Sequence, residues 1–287
     1  MNKIKIIFAG SSIYSTYFLE TLLKSNKVSI IAILTQSDKP KGRKKEKIST
    51  PVKKFALKEK LNVLTPNSLK NPKIIEKIKS LKSDLIFIAS YAKIIPPEII
   101  KLPKLGIVCF HPSLLPKYRG STPIQSAILN NEAETGYTIF LVDEKVDHGQ
   151  ILFQQKVVVN DHDDNHSLTE KLFRLGSNHT PSFLSDYANR TIQPIPQNHS
   201  QATFTKILSR NDGYIDISKE SPKNIYQKFK AYYPWPGIWT NWDGKRLKIT
   251  TLRYEDNKII VDKVQLEGKK EMNLEEFKNG YRNFDLF

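Results

Sequence analysis

Cys109 and His111 stand two residues apart in the stretch CFHPSLLPKYRG, and their types and spacing are the first sign of chemistry in this chain. Cys109 is the only cysteine. A strand that runs through both residues would place both side chains on one face, because side chains alternate along a strand. Three interpretations stay open: a cysteine–histidine nucleophile pair, a cysteine buried only for packing, or a histidine that works with another residue.

The elements that position these residues alternate between short apolar runs and helical patterns. Helices are predicted after the first strand, in PVKKFALKEKL, in STPIQSAILNN and from Ser167, where Glu170 completes a capping-box pattern. Such alternation predicts an α/β fold with a doubly wound, mostly parallel, Rossmann-like sheet, whose strands bind ligands at their carboxyl ends. Strands are predicted over residues 3–10, 28–35, 83–90, 106–110, 135–143 and 150–159.

The pattern changes towards the C-terminus. Residues 191–206 contain prolines and little apolar periodicity, which predicts a linker. From residue 207 onwards, short alternating segments separated by turn residues predict a small, OB-like, partly open β-barrel. We therefore expect an α/β domain over residues 1–190, a linker over 191–206 and a β-barrel domain over 207–287.

Positive charge is concentrated in one segment. The formal net charge is +16, and residues 39–60 hold ten Lys/Arg against two Glu, a net of +8. Gly and Pro in KPKGRKKEK predict a loop, in which these charges crowd and favour a polyanionic partner. Nucleic acid is the expected partner, an anionic membrane surface is the weaker alternative, and an ordinary solvated surface is the third.

Other features limit the compartment and the chemistry. One cysteine cannot form an internal disulfide, no apolar run approaches the roughly 20 residues that span a bilayer, and the N-terminus has no cleavable signal pattern. We expect a cytoplasmic protein without a membrane partner.

Two further motifs are predicted to be structural. HDDNH, residues 162–166, has ligand-type side chains, but it is predicted to be a loop before a helix rather than a metal site. YYPWPGIW, residues 232–239, is predicted to pack in a core rather than to stack on bases.

The stretch from FHPSLLP to VDHGQIL resembles the signature of the folate-dependent formyltransferases, in which a histidine precedes SLLP and a DxG loop follows. LTQSDKPKGRKKEKISTPVKKFA, SQATFTKI, RNDGYIDI and YPWPGIW extend the resemblance to the methionyl-tRNA formyltransferase family over nearly the full chain. The resemblance implies transfer of the formyl group of 10-formyltetrahydrofolate to the α-amine of methionyl initiator tRNA, for translation initiation. No metal is implied, and we expect a monomer.

The resemblance also implies a catalytic set. His111 would donate a hydrogen bond to the oxyanion that forms at the formyl carbon. Asp147 would orient His111, hold it protonated and help to relay the amine proton. Cys109 stands where the family has asparagine, so a weak thiol donor replaces an amide. We therefore expect folate-dependent transfer at a reduced rate.

The same resemblance implies the binding residues, although the segment SYA, residues 90–92, differs from the family's sequence at two positions. The basic loop would contact tRNA, with Arg43 as the recognition residue and its lysines on phosphates. The implied folate contacts are Ser113, Leu114, Leu115 and Pro116, with Ser90 and Tyr91 on the pterin side, and the implied tRNA contacts are Arg43, Lys41, Lys44, Lys45 and Lys47.

Alternatives remain open from the sequence. The chain could be a related formyltransferase that acts on a sugar or nucleotide amine, or a relic that binds tRNA and folate and catalyses little. A cysteine–histidine hydrolase is a third hypothesis, although no Gly-rich nucleophile turn supports it.

Overall fold

The computed structural model describes residues 3–41 and 46–281, which form two compact units. The first unit comprises Met1–Arg119, Thr135–Val158 and Thr169–Phe204, and the second comprises Gly120–Glu134, Val159–Leu168 and Thr205–Phe287. These units interleave along the chain and do not follow the division into 1–190, 191–206 and 207–287, which stays a prediction. Among the described residues, no helix is both long and apolar enough to span a bilayer.

A seven-stranded sheet forms the centre of the first unit, with strand order β5-β2-β1-β6-β7-β8-β9. The pairs from β5 to β7 are parallel, and β8 runs antiparallel to β7. This confirms the mostly parallel α/β fold and the predicted strands. The strands are β1 (Ile4–Ala9), β2 (Val28–Leu34), β5 (Val63–Leu64), β6 (Leu85–Ala89), β7 (Ile107–His111), β8 (Glu134–Leu141) and β9 (Ile151–Val158). A separate two-stranded antiparallel sheet consists of β3 (Lys39–Lys41) and β4 (Glu46–Ile48).

Apolar side chains fill both faces of this sheet, because successive residues of a buried parallel strand point to opposite sides. In β1, Phe8 belongs to one core cluster and Ile7 to the other. In β7, Phe110 packs with the Phe8 cluster, whereas Cys109 packs against the Ile7 cluster. Cys109 and His111 therefore share the face opposite Phe110, as the spacing predicts.

Helices cover this sheet, and their starts follow local capping rules. In α2, the Thr50 side chain accepts from the backbone N–H of Lys53, and Pro51 occupies the first turn. The helices are α1 (Ser15–Lys24), α2 (Pro51–Lys58), α3 (Pro72–Ser80), α4 (Pro97–Ile100) and α6 (Asn165–Ala188), of which the last begins in the second unit and continues in the first.

The start of α6 corrects one expectation. Asp164 accepts from the Ser167 N–H at 2.7 Å, and the Ser167 hydroxyl oxygen accepts from the Asp164 N–H at 3.0 Å. This is a reciprocal cap centred on Asp164, so the helix begins two residues before Ser167. The predicted start at Ser167 is wrong because an aspartate caps a helix as well as a serine does.

The second unit contains a four-stranded antiparallel sheet of order β10-β11-β12-β13, which confirms the C-terminal antiparallel strands. The sheet is open, and an isolated parallel bridge from Tyr214 to Trp239 extends its β10 edge. Helices were not expected after residue 207, yet two are present, one of them opened by a Ser221 cap and Pro222. The elements are α5 (Pro123–Leu129), α7 (Pro222–Tyr232), β10 (Ile238–Trp242), β11 (Lys245–Glu255), β12 (Lys258–Leu266), β13 (Met272–Asn273) and α8 (Leu274–Gly280).

The aromatic segment YYPWPGIW is only partly a packing segment. The Trp239 indole donates to the Arg210 carbonyl at 2.9 Å, and its ring packs on Tyr214 at 5.0 Å between centroids. Trp235 is 54% exposed and Tyr233 is 44% exposed. The prediction of core packing is therefore wrong for Trp235, which lies on the surface.

Candidate active site

The carboxyl ends of β6 and β7 lie side by side and form one edge of the site. Ile88 pairs with Cys109 and Ala89 pairs with Phe110 in parallel register. Ser90 follows β6 with a φ of +57°, and His111 ends β7. The sequence expectation that Cys109 and His111 reach a ligand-binding end of the sheet is consistent with this geometry.

His111 lies between two acceptors in a buried position. Its side chain is 7% exposed, its Nε2 is 2.9 Å from the Tyr118 carbonyl oxygen, and its Nδ1 is 3.6 Å from Asp147 Oδ2. A carbonyl oxygen only accepts, so Nε2 carries a proton. Nδ1 faces the Asp147 carboxylate, so both ring nitrogens of His111 point towards acceptors.

Asp147 reaches His111 from the loop between β8 and β9, and its backbone is in the left-handed region with a φ of +49°. Gly149 follows two residues later at a close backbone approach: a Cβ there would lie 1.7 Å from the Leu141 carbonyl oxygen. Non-glycine residues adopt such a φ at some energetic cost, and surrounding contacts must hold them there.

Gln197 supplies those contacts and was not found by sequence reasoning. Its Nε2 donates to the Asp147 carbonyl at 3.0 Å and to the Gly149 carbonyl at 2.7 Å. The side chain is 5% exposed. Gln197 lies in the predicted linker, whose Ile195 forms two backbone hydrogen bonds with Ile151 of β9, both of 2.8 Å. This segment is therefore part of the first unit as far as residue 204.

Arg119 in turn fixes Gln197. Its Nε and Nη2 donate to Gln197 Oε1 at 3.2 and 2.6 Å, and Nη2 also contacts His199 Nδ1 at 2.9 Å, which must accept. Arg119 is 3% exposed, and this burial lowers its pKa. Its backbone N–H donates to the Thr203 carbonyl at 2.9 Å. The buried Arg119 guanidinium therefore holds Gln197, which in turn binds the loop that carries Asp147.

Two histidines lie on the exposed side of this network. The rings of His148 and His199 stack at 4.0 Å between centroids, and His148 Nδ1 lies 2.6 Å from Asp143 Oδ2. Desolvation, followed by the nearby charges of His148 and Arg119, lowers the pKa of His199. A neutral His199 is the form that can accept from Arg119, so the hydrogen bond and the lowered pKa agree.

Cys109 is a neutral thiol in this setting. Burial, with a further contribution from the Asp147 charge, raises the pKa of Cys109 well above its usual value. Its Sγ lies 3.6 Å from the Phe110 carbonyl oxygen. A cysteine nucleophile needs a depressed pKa, so these surroundings argue against the cysteine–histidine hydrolase.

Hydrogen bonds of the Ser113 hydroxyl and of main-chain groups fix the SLLP segment, residues 113–116. The Ser113 hydroxyl is fully buried and donates at 2.7 Å to the main-chain carbonyl four residues later. Thr138 Oγ1 donates to the Ser113 carbonyl at 2.6 Å and accepts from the Leu115 N–H at 3.0 Å. Ser113 and Leu115 are buried, whereas Leu114 and Pro116 are partly exposed, so the last two can present their side chains to a ligand.

The segment after β6 offers mainly its backbone. Ser90 is exposed, and its carbonyl accepts from the Ser11 N–H at 3.1 Å. Tyr91 is 7% exposed within the Ile7 cluster, and burial raises its pKa to about 12. Its hydroxyl has no hydrogen-bond partner among the described residues. Tyr91 is therefore a core side chain.

Three of the five predicted tRNA contacts, Arg43, Lys44 and Lys45, lie outside the described residues, and so does the side chain of Lys41. Lys47 is exposed on β4. At the base of this loop, Lys53 Nζ lies 2.8 Å from both carboxylate oxygens of Asp38, and this hydrogen bond lowers the pKa of Asp38.

Two family models match the chain: formyl transferase over residues 1–184, and formyl transferase, C-terminal domain, over residues 207–259. The chain is 41% identical over 255 residues to methionyl-tRNA formyltransferase of Roseiflexus castenholzii, covering 89% of this chain and 81% of the relative.

Solved structures show the same fold. Methionyl-tRNA formyltransferase from Clostridium thermocellum has a TM-score of 0.61 at 18% identity, over 92% of this chain and 98% of its own. HypX from Aquifex aeolicus in complex with tetrahydrofolic acid has a TM-score of 0.65 at 12% identity, over 98% of this chain and 48% of its own. At these identities the likeness carries the fold and no more.

Proposed function

The chain belongs to the methionyl-tRNA formyltransferase family, and from this we propose that it transfers the formyl group of 10-formyltetrahydrofolate to the α-amine of methionyl initiator tRNA, for translation initiation. The observation that carries the proposal is the pairing of His111 with Asp147 at the carboxyl end of β7. These two residues were predicted from the family signature, and they lie 3.6 Å apart although 36 positions separate them.

The neutral α-amine attacks the formyl carbon, and the carbonyl oxygen becomes an oxyanion. The His111 Nε2–H, which donates to the Tyr118 carbonyl, turns to this oxygen when the substrate occupies the site. Asp147 orients the ring from the Nδ1 side, where its carboxylate lies 3.6 Å away. The amine loses a proton, by way of Asp147 or water, and N10 of the departing tetrahydrofolate gains one as its bond to the formyl carbon breaks.

Cys109 weakens this site in one respect. It stands next to His111 on the same face of β7, where the family has an asparagine amide with two N–H donors. A thiol offers one weak donor, and the loss of an oxyanion donor typically costs about 10²–10³ in kcat. We therefore expect a reduced rate, and the raised pKa that burial gives Cys109 supports a neutral thiol at this position.

Folate is proposed to bind along the ends of β6 and β7. Ser90 and Tyr91 would hold the pterin by main-chain groups, since the Tyr91 ring is in the core. Ser113, Leu114, Leu115 and Pro116 would line the remainder, with Leu114 and Pro116 in side-chain contact. The fold supports this proposal because HypX, which shares it, binds tetrahydrofolic acid.

The tRNA is proposed to engage the basic loop, with Arg43 as the recognition residue and Lys41, Lys44, Lys45 and Lys47 on phosphates. Residues 207–287 would add further tRNA contact as a separate domain after the catalytic residues 1–190. The enzyme would act as a cytoplasmic monomer without a metal.

The alternatives are less well supported. A sugar or nucleotide amine as acceptor is disfavoured because the relatives that are 41% and 34% identical to this chain are both named methionyl-tRNA formyltransferase. A relic that catalyses little predicts binding of folate and tRNA with little formyl transfer.

The test is the transfer of labelled formyl from 10-formyltetrahydrofolate to methionyl-tRNA by the full chain, by His111→Ala and by His162→Ala. His162 is an exposed histidine of the second unit and serves as the matched control. We expect transfer by the wild type and by His162→Ala, and a loss of at least about 10²-fold in His111→Ala. Transfer to an amino sugar but not to methionyl-tRNA, or no transfer at all, would contradict the proposal.

A further inference from the structure

We propose that Gln197 is a positioning residue for formyl transfer, which holds Asp147 against His111 by binding the main-chain carbonyls of Asp147 and Gly149. This inference rests on the proposed catalytic role of Asp147. It concerns a residue in a segment that the sequence presents as a linker.

The geometry of the amide is specific. One NH2 group reaches two carbonyl oxygens, at 3.0 Å on Asp147 and 2.7 Å on Gly149, and so binds the carbonyls of the two residues that flank His148. An amide NH2 has two protons, and both are used here. These two hydrogen bonds therefore fix the backbone at Asp147 and with it the direction of the Asp147 side chain.

The loop needs this restraint for a physical reason. Asp147 has a φ of +49°, a region that costs a non-glycine residue energy, and the described contacts of its carboxylate include His111 at 3.6 Å. Without the two hydrogen bonds, the backbone could relax and carry the carboxylate away from the ring. A misplacement of about 1 Å in a catalytic constellation can cost on the order of 10²-fold in rate.

Arg119 holds the Gln197 amide and sets its orientation. Both Nε and Nη2 donate to Gln197 Oε1, so the amide oxygen must point to Arg119 and its NH2 to the loop. Arg119 is itself buried and held by the Thr203 carbonyl. Position 197 thus requires an acceptor on one side and two donors on the other, which is a demand that only a carboxamide of this length meets.

The experiment compares Gln197→Glu and Gln197→Met with wild type, in chains that carry Asp147 or Asp147→Asn. Glutamate keeps the acceptor for Arg119 and removes the donors, whereas methionine keeps the length and removes both. We expect kcat to fall by about 10- to 100-fold in each variant, with KM for methionyl-tRNA and for 10-formyltetrahydrofolate within about threefold. In the Asp147→Asn chain, the same changes should lower kcat by less than about threefold, because Gln197 acts through Asp147.

Gln193→Glu is the matched control, since Gln193 is exposed in the same segment, and its kcat should equal that of the wild type. Thermal unfolding of each variant identifies a loss of folding, and the methionine variant replaces the glutamate variant if the latter does not fold. Equal losses of kcat with and without Asp147, or unchanged kcat in the Gln197 variants, would overturn the positioning role alone. A wild-type kcat in Asp147→Asn would overturn the proposed role of Asp147 and the positioning role with it.

Discussion

Two stretches of the chain are rich in aspartate and histidine, and they put the same side chains to different uses. In residues 143–148, Asp147 faces His111 at 3.6 Å and Asp143 faces His148 at 2.6 Å. In residues 162–166, Asp163 accepts from the Asn160 N–H at 2.8 Å and Asp164 accepts from the Ser167 N–H at 2.7 Å. The first stretch pairs carboxylates with imidazoles, and the second pairs them with the backbone at the start of α6.

The comparison shows that the group a carboxylate binds, rather than the residues beside it in sequence, decides its role. A helix start leaves N–H groups unpaired and attracts acidic side chains for that reason alone. The pairing of the buried His111 imidazole with a carboxylate meets no such structural need. Across residues 3–41 and 46–281, no cluster of three or more His, Cys, Asp or Glu has a geometry that could hold a metal ion.

The largest expected effect separates the two stretches directly. Asp147→Asn keeps the shape of the side chain and removes the charge that orients His111, so kcat should fall by about 10²–10³-fold. Asp164→Asn is the matched change in the other stretch and should leave kcat within about twofold. Steady-state transfer to methionyl-tRNA measures both, and an equal loss in the two variants would erase the distinction.

A smaller effect is expected at Cys109, which lies on the same face of β7 as His111. Cys109→Asn introduces an amide donor beside His111, so kcat should rise by about tenfold or more. Cys109→Ser, which has a single hydroxyl donor, should give a smaller gain. Formyl transfer by the three proteins under identical conditions checks this, and a fall in activity in Cys109→Asn would refute the account of Cys109 as a weak point.

The smallest expected effect concerns stability. Asp164→Ala removes the cap of α6, and the free energy of unfolding should fall by about 1 kcal/mol, with little change in kcat. Asp161→Ala removes the same charge from an exposed side chain three positions earlier and serves as the control. Urea denaturation gives both values. A loss of transfer without a loss of stability in Asp164→Ala would place residues 162–166 in the site after all.

Much of the fold could be read from the sequence because buried parallel strands are continuous apolar runs. Residues 83–90 and 106–110 were predicted as strands, and the structure has Leu85–Ala89 and Ile107–His111. α7 was missed because PKNIYQKFKAY interleaves five charged or amide side chains with its apolar ones, although Ser221 and Pro222 are a typical helix start. Short-range patterns therefore predict apolar strands well and helices of mixed polarity poorly.

The candidate site likewise contains two residues that the sequence predicts and two that it does not. His111 and Asp147 were predicted from the signature, because a signature is a pattern of residue types. Gln197 and Arg119 leave no such pattern: Gln197 binds main-chain carbonyls 48 and 50 positions away, and any residue has those carbonyls. Only the three-dimensional structure brings them together.

Because Gln197 binds the main chain on both sides of residue 148, the side chain at that position is released from the task of holding Asp147. Residue 148 can then diverge over evolutionary time with little effect on the position of the Asp147 carboxylate. The same restraint predicts an uneven tolerance to substitution, generous at position 148 and severe at positions 149 and 197. In this way one buried carboxamide determines which parts of the loop are free to vary.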